Sequence, residues 1–263
     1  MPGFGWKCDK AEHIAATEIA GPVYRADRFG AAPVKFPKNF YDLMKFSRIL
    51  DQEGTSACVN FAMTGAVDCR LRALGFNPEP LSPCANYPIG RRMEIGKNAP
   101  LTDDGSIPYL VFESARRHGI PSAKVWPFDP KRINEDPPFD VFQQASQFRL
   151  SNVARIDATG EARKFAAMQA IYALHPVPNG MMVGADFMDY LSNRDPVDVE
   201  TSILGGHMTY LVGWEDYGRV LIGNTSYGTG YGDQGFYRIY DTKFMHPSTS
   251  DLYNLIVTDT RAP

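Results

Sequence analysis

Asp51-Gln-Glu-Gly-Thr-Ser-Ala-Cys58-Val-Asn-Phe61 sets a glutamine six positions ahead of a cysteine that opens an apolar run. Two readings of this stretch compete. Free cysteine is among the most buried residue types, so Cys58 can be one more core side chain. A thiol at a helix N-terminus can instead be a nucleophile, with Gln52 folded back beside it. The rest of the chain has to decide between them.

Outward from Cys58 the pattern is helical. Phe61, Ala62, Ala66 and Cys69, with Met63 and Val67, recur at intervals of three and four up to Leu74. Thr55 or Ser56 is placed to cap this helix and Gly75 to stop it. It is apolar around much of its circumference, which predicts a buried position. A second helix is expected over Ile107–His118, ended by Gly119, and further helices over 139–148 and 161–174. Residues 126–138 carry four prolines and read as a connection. Residues 1–33 read as an extended lead-in, and 34–57 as loop with a short helical turn near Tyr41–Phe46.

Beyond Pro176 the character turns to strand. Met181–Ala185, Met208–Trp214, Arg219–Gly223, Gly235–Tyr240 and Leu252–Val257 are short, β-prone and separated by glycine or charge. Helices early and strands late predict an α+β fold of two lobes: 34–145 mainly helical, 146–263 mainly β, with 1–33 as an extension or short pro-segment. A cleft between lobes is a favoured place for a site.

The 263 residues are 44% hydrophobic and 22% charged, with a net charge of -3. This is an ordinary globular balance with no basic excess, so neither nucleic acid nor an anionic membrane is expected as a partner. Arg91-Arg92 and Arg116-Arg117 read as solvated surface. No apolar stretch reaches the ~18 residues of a membrane helix. The opening MPGFGWKCDKAEHI lacks the apolar core of a secretory signal. The four cysteines, Cys8, Cys58, Cys69 and Cys84, form no C-x-x-C pair and no zinc-type cluster. Reduced thiols and a cytoplasmic or virion-associated setting are expected.

A thiol nucleophile needs a base, and the base needs an orienting group. Of the five histidines, His13, His118, His175 and His246 lie at a helix end or in polar segments. His207 follows Gly205-Gly206 and heads an alternating run to Trp214. A second strand follows at once, Arg219-Val-Leu-Ile-Gly-Asn-Thr-Ser-Tyr-Gly, with a turn near Glu215–Gly218. Such a hairpin brings Asn224 back beside His207, where a polar side chain can hold one tautomer.

These three anchors together resemble the papain family of cysteine peptidases. Gln52 and Cys58 match the family's glutamine and nucleophile, and Cys-Val-Asn-Phe-Ala matches its Cys-aromatic-Ala-Phe-Ala. Gly206-His207-Met-Thr-Tyr-Leu-Val-Gly-Trp214 is similar to its histidine strand. Leu221-Ile-Gly-Asn-Thr-Ser-Tyr-Gly-Thr-Gly-Tyr-Gly is similar to its Asn-Ser-Trp-Gly-Thr-Gly-Trp-Gly segment. Leu81-Ser82, Asp104-Gly105-Ser106 and Trp126-Pro127-Phe128 fall where the family's lobe-building segments fall. The resemblance spans roughly residues 34–263, and the short N-terminal extension resembles bacterial and viral members.

It implies a papain-like fold with a helical lobe, a β-barrel-like lobe and the cleft between them. It further implies a peptidase that needs no metal or organic cofactor and acts on protein or peptide. Cys58, His207, Asn224 and Gln52 would be catalytic, with Gln52 in the oxyanion hole. Ser56, Gly105, Ser106, Gly206 and Met208 would border the substrate.

Four positions depart from the family. Glu53 and Ser56 stand where it has glycine, and Ser56 would narrow the neighbouring pocket. Val59 and Tyr227 stand where it has tryptophan. The orienting residue is Asn224 when aligned from the strand and Thr225 when aligned from Tyr227-Gly, because the chain has one residue more. Asn224 is favoured, since an amide oxygen accepts from imidazole and a one-residue bulge is easily built. These departures keep a second expectation open, a catalytically inactive binding or structural protein on the same fold.

Overall fold

A computed structural model describes residues 3–20, 35–145, 148–191 and 195–259. Its spine is helix α2, Cys58–Ala73, buried over most of its length as its all-round apolar character predicts. Neither Thr55 nor Ser56 caps it through a side chain, and Ala57 occupies the cap position. The Thr55 hydroxyl turns back to the Gln52 carbonyl at 2.8 Å, while the Ser56 amide donates to both carboxylate oxygens of Asp103 at 3.0 Å. A carboxylate from another segment thus anchors the turn that leads into the helix, through an N–H that precedes the cap position. Gly75, at φ +87°, follows the helix as expected.

Helices α3 (Asn86–Ile95) and α4 (Pro108–His118) pack on each other, and α4 also contacts α2. The α3 helix escapes a periodicity reading because Pro88 lies inside it. Pro88 is in the first turn, where a missing N–H leaves no bond unmade. A short helix α5 covers Phe139–Ala145. Residues 148–155 then form strand β1, Phe148–Arg155, so the helix expected through 148 stops short of it. The strand is made by pairing with β7, Tyr253–Asp259, a partner about a hundred residues away that no local pattern announces. Together β1 and β7 form a two-stranded antiparallel sheet that packs against α4.

The main sheet has five antiparallel strands in the order β5-β4-β3-β2-β6. They span Val177–Gly184 (β2), Ile203–Glu215 (β3), Val220–Asn224 (β4), Phe236–Tyr240 (β5) and Thr249–Ser250 (β6). Helix α6 (Gly160–Tyr172) covers it, burying Met168 and Ile171 among Val177, Leu211 and Trp214. Two short helices, α7 (Ala185–Met188) and α8 (Asp241–Met245), join its strands. α2 packs directly on β3, and Gly65 permits the approach: a Cβ there would lie 2.6 Å from the Tyr210 ring.

The lead-in is not wholly extended. Residues 3–9 are extended, but Ala11–Ala20 form helix α1, which contacts β1 and α4. The remainder of the 1–33 expectation, residues 1–2 and 21–33, lies outside the described residues. No described helix is long and apolar enough to cross a membrane.

Candidate active site

Cys58 is the first residue of α2 and is fully buried. His207 stands on β3, opposite Met181 of β2, and is also fully buried. The two side chains enter one region from opposite sides. The backbone N–H groups of Met208, next to His207, and of Gly5, Val59 and Cys58 face the sulfur. No hydrogen bond joins the sulfur to the ring, whose Nδ1 has no hydrogen-bond partner in the structure.

The ring is held on its other edge. His207 Nε2 lies 2.9 Å from the Thr225 hydroxyl, and the Tyr227 ring stacks on the imidazole at 4.5 Å between centroids and 18° between planes. The expectation that Asn224 meets the ring is corrected here. Asn224 pairs with Tyr210 across the β3–β4 ladder, so it shares Tyr210's face of the sheet, whereas His207, three positions earlier, presents the other face. A bulge between Leu211 and Gly213 sets this register, and a shift by one residue exchanges faces. The Asn224 amide nitrogen is buried without a partner, beside Tyr210 and Phe61.

Gln52 is fully buried, and the segment after β4 holds it. Its backbone N–H donates to the Ser226 carbonyl at 2.9 Å, and Gly228 N–H donates to the Leu50 carbonyl at 3.0 Å. The Ser226 hydroxyl donates to Gln52 Oε1 at 2.6 Å. That bond turns the carbonyl end of the side chain toward Ser226 and leaves Nε2 to point the other way. Adjacent residues Thr225 and Ser226 therefore hold the imidazole and the glutamine respectively. Aligned from Tyr227-Gly, Ser226 falls on the serine of the Asn-Ser-Trp-Gly segment, but nothing in the sequence says that it bonds Gln52. No motif flags Asp103, which also accepts from the Tyr87 hydroxyl at 2.7 Å, while Gly105 N–H donates to that hydroxyl at 3.0 Å. Asp103 and Tyr87 tie the turn before Cys58 to the 103–106 wall.

The residues expected to border substrate surround a piece of the chain itself. Residues 3–7, Gly3-Phe4-Gly5-Trp6-Lys7, run as a strap between the two sides. Ser106 N–H donates to the Gly5 carbonyl at 2.7 Å, and Lys7 N–H to the Ser106 carbonyl at 3.1 Å. Trp6 N–H donates to the Gly206 carbonyl at 3.2 Å. The pairing of Trp6 with Ser106 is parallel. Gln52 Nε2 donates to the Gly3 carbonyl at 3.0 Å as well as to the Thr55 carbonyl. The path is tight. A Cβ on Gly5 would collide with the Ser56 carbonyl, and one on Gly3 with the Thr55 carbonyl. The indole of Trp6 lies so close to Gly180 and Gly206 that neither position has room for a side chain. Met208 is buried in the same cluster as Trp6, Cys58 and Met63.

Beneath the strap neither titrating group carries charge at neutral pH. Burial pushes the Cys58 thiol up to about 11 and His207 down to about 3. Facing amides offset part of the shift at sulfur. Beyond Tyr227, outside the strap, lies an open pocket of about 530 Å³ lined by Met188, Tyr190, Leu191 and Tyr231.

A two-sided fold with a helix-borne thiol, a strand-borne imidazole and a glutamine amide in one cleft is the architecture of a thiol protease. Residues 41–250 match the papain family cysteine protease profile, and the chain belongs to that family. Solved structures agree on the fold. Xylellain, a cysteine protease from Xylella fastidiosa, superposes with a TM-score of 0.78 at 18% identity, covering 97% of this chain and 96% of that one. The Carica candamarcensis cysteine protease CMS1MS2, solved with E-64, gives 0.64 at 20% identity over 84% and 99%. Procathepsin B S9 of Trypanosoma congolense gives 0.66 at 17% over 97% and 83%. A peptidase C1-like protein of Acanthamoeba polyphaga mimivirus is 23% identical over 145 residues, 52% of this chain. The match spans about half of that relative's length, 47%.

Proposed function

We propose that the chain is a cysteine endopeptidase whose nucleophile is Cys58, and that the strap holds it inactive. The observation that carries this reading is that one short run of backbone, Gly3–Trp6, meets Gln52 Nε2, the Cys58 sulfur and Gly206, the neighbour of His207. With the strap withdrawn, water and substrate reach the cleft and the burial that keeps both groups neutral is relieved. The thiol proton passes to His207, giving a thiolate at the positive end of α2 beside an imidazolium.

The thiolate adds to a peptide carbonyl carbon. The resulting oxyanion accepts from Gln52 Nε2, now free of Gly3, and from the Cys58 backbone N–H. Collapse breaks the C–N bond as His207 gives its proton to the departing amine. Water, deprotonated by His207, then hydrolyses the thioester and returns the proton to the site. Thr225 accepts from Nε2–H throughout, and Tyr227 screens that bond from water. The open pocket beyond Tyr227 suits an apolar residue on the leaving-group side. Protein or peptide is the substrate, and no step calls for a metal or organic cofactor.

Hydrolysis of fluorogenic peptides by the Gly5→Val chain, whose strap has no room to dock, against the same chain carrying Cys58→Ala, tests the assignment. The substitution is expected to lower kcat by about 10⁴-fold or more, and turnover that survives it would refute Cys58 as nucleophile. A second reading, an inactive binding protein on the same fold, draws on the strap and on the missing sulfur–ring bond. It is favoured if Cys58 resists epoxides and iodoacetamide at neutral pH even after the strap has been displaced by Gly5→Val.

A further inference from the structure

The strap continues past the cleft into a buried charge cluster. Trp6 Nε1 and the Asp9 backbone N–H both donate to Asp251 Oδ2 at 3.0 Å. Arg155 Nη1, from β1, reaches Asp9 Oδ2 and Asp251 Oδ1 at 2.9 Å each. The Tyr253 hydroxyl of β7 donates to Asp9 Oδ2, and the Tyr109 backbone N–H of α4 donates to Asp9 Oδ1 at 3.1 Å. The Asp9 and Asp251 side chains are 0% and 2% exposed. Two carboxylates therefore share one guanidinium, and with both ionised the cluster buries an uncompensated negative charge.

Among the described residues no second cation bonds to the carboxylates. Arg163 of α6 bonds to backbone carbonyls of the 244–249 turn, and burial and then the Arg155 charge hold it below its ordinary value. His13 of α1 stacks on the Tyr109 ring, and burial holds it below its ordinary value. The Cys8 thiol beside the pair is pushed up by burial and then by both carboxylates, so it remains protonated.

We propose that Asp9, Asp251 and Arg155 form a proton-operated latch that holds the strap over the candidate active site while one of the two carboxyl groups is protonated and releases it when that proton is lost. The inference rests on the reading of the strap as an inhibitory occupant. Burial, and then the Asp251 charge, push the Asp9 carboxyl up to about 7 in the docked state. In the released strap it returns toward 3.8. A carboxyl raised in the docked state favours docking fully below its released value, and the advantage is lost as pH rises through the docked one. Docking therefore weakens between about pH 4 and pH 7, by up to about a thousandfold. The Cys58–His207 pair adds little slope in that window. It holds one proton in either state, on sulfur when closed and on the ring when open.

Hydrogen exchange on the full chain tests the latch. Protection factors of the Trp6, Lys7 and Asp9 amides, corrected for intrinsic exchange, are expected to fall by about 10²- to 10³-fold from pH 4 to pH 7.5. Amides of the β3 core serve as the control and stay level. Asp9→Asn removes the slope whatever its effect on the absolute level of protection. If the strap of the Asp9→Asn variant fails to dock at any pH, Asp251→Asn is read instead: it removes the second cause of the raised Asp9 carboxyl and leaves Arg155 to Asp9 alone, so the slope shrinks below the parent's. A flat wild-type profile, a loss of protection on acidification, or a wild-type slope in either variant would overturn the latch. Exchange reads strap docking and not turnover, so this outcome is separate from the fate of the peptidase assignment.

Discussion

Cys58 and Gln52 reach the cleft on one continuous turn and helix, whereas His207 meets Thr225 across two strands and a bulge. On the first side sequence distance is spatial distance. Six residues of turn return the glutamine to the head of its own helix, so the pair is a local property. On the second side the partner is chosen by ladder register. One residue of bulge decides whether residue 224 or 225 shares the imidazole's face. The comparison teaches that a constellation read across an insertion-prone hairpin needs the register, while one read along a helix start does not. The segment after β4 joins the two sides, with Thr225 on the ring and Ser226 on the glutamine.

The comparison can be broken or sharpened by substitution. The largest effect is expected at the strap, which covers both sides at once. Gly5→Val has no room beside the Ser56 carbonyl, so the strap lifts. A thiol held at about 11 is roughly a thousandth ionised at pH 8. Alkylation of Cys58 by iodoacetamide at that pH should therefore accelerate by about 10²- to 10³-fold in the variant. In the parent chain the rate should climb only as pH rises toward 11. Equal rates in the two would mean that the strap does not control the sulfur.

Gln52→Ala comes next. Removing an oxyanion donor costs about 10²- to 10³-fold in kcat, best measured in the Gly5→Val background, where Nε2 is free of Gly3. On the strand side Thr225→Val should lower kcat by about 10- to 100-fold, the worth of one hydrogen bond to a group that becomes charged. Thr225→Ser should restore most of it. Ser226→Ala, which frees Gln52 to rotate, should fall between Thr225→Val and Asn224→Ala. One neutral hydrogen bond corresponds to about 3- to 10-fold in kcat, with KM nearly unchanged. Asn224→Ala should change kcat by less than about threefold, since its side chain is on the other face of the sheet and its amide nitrogen is unpartnered. If Asn224→Ala were the damaging variant and Thr225→Val the silent one, the register argument would fail.

Much of the fold was legible in the sequence because its signals are short-range. The apolar stripe from Phe61 to Leu71 and Gly75 beyond it mark α2, and β-prone runs broken by glycine mark β2 to β5. Where the signal was non-local, the reading failed or was silent. The β1 strand depends on β7. The α3 helix hides behind Pro88, and neither Thr55 nor Ser56 caps α2, since the Ser56 amide is held by the distant Asp103 and the Thr55 hydroxyl by the Gln52 carbonyl. The lead-in shows the same limit, since nothing in Gly3-Phe4-Gly5-Trp6 says which surface it lies on.

By itself the sequence determined the chemical vocabulary and half of its placement. A thiol and an amide six residues apart at a helix start, and an imidazole after two glycines at a strand head, are matters of composition and period. Only the tertiary structure decided which hydroxyl holds the ring, that Ser226 aims the glutamine, and that the glycines at 3 and 5 let the chain's own beginning fill the cleft. The physical reason is range. Helix and strand periods are set by neighbours within a few residues, whereas register, occlusion and a carboxylate pair around Arg155 arise between segments that meet only when the core has packed.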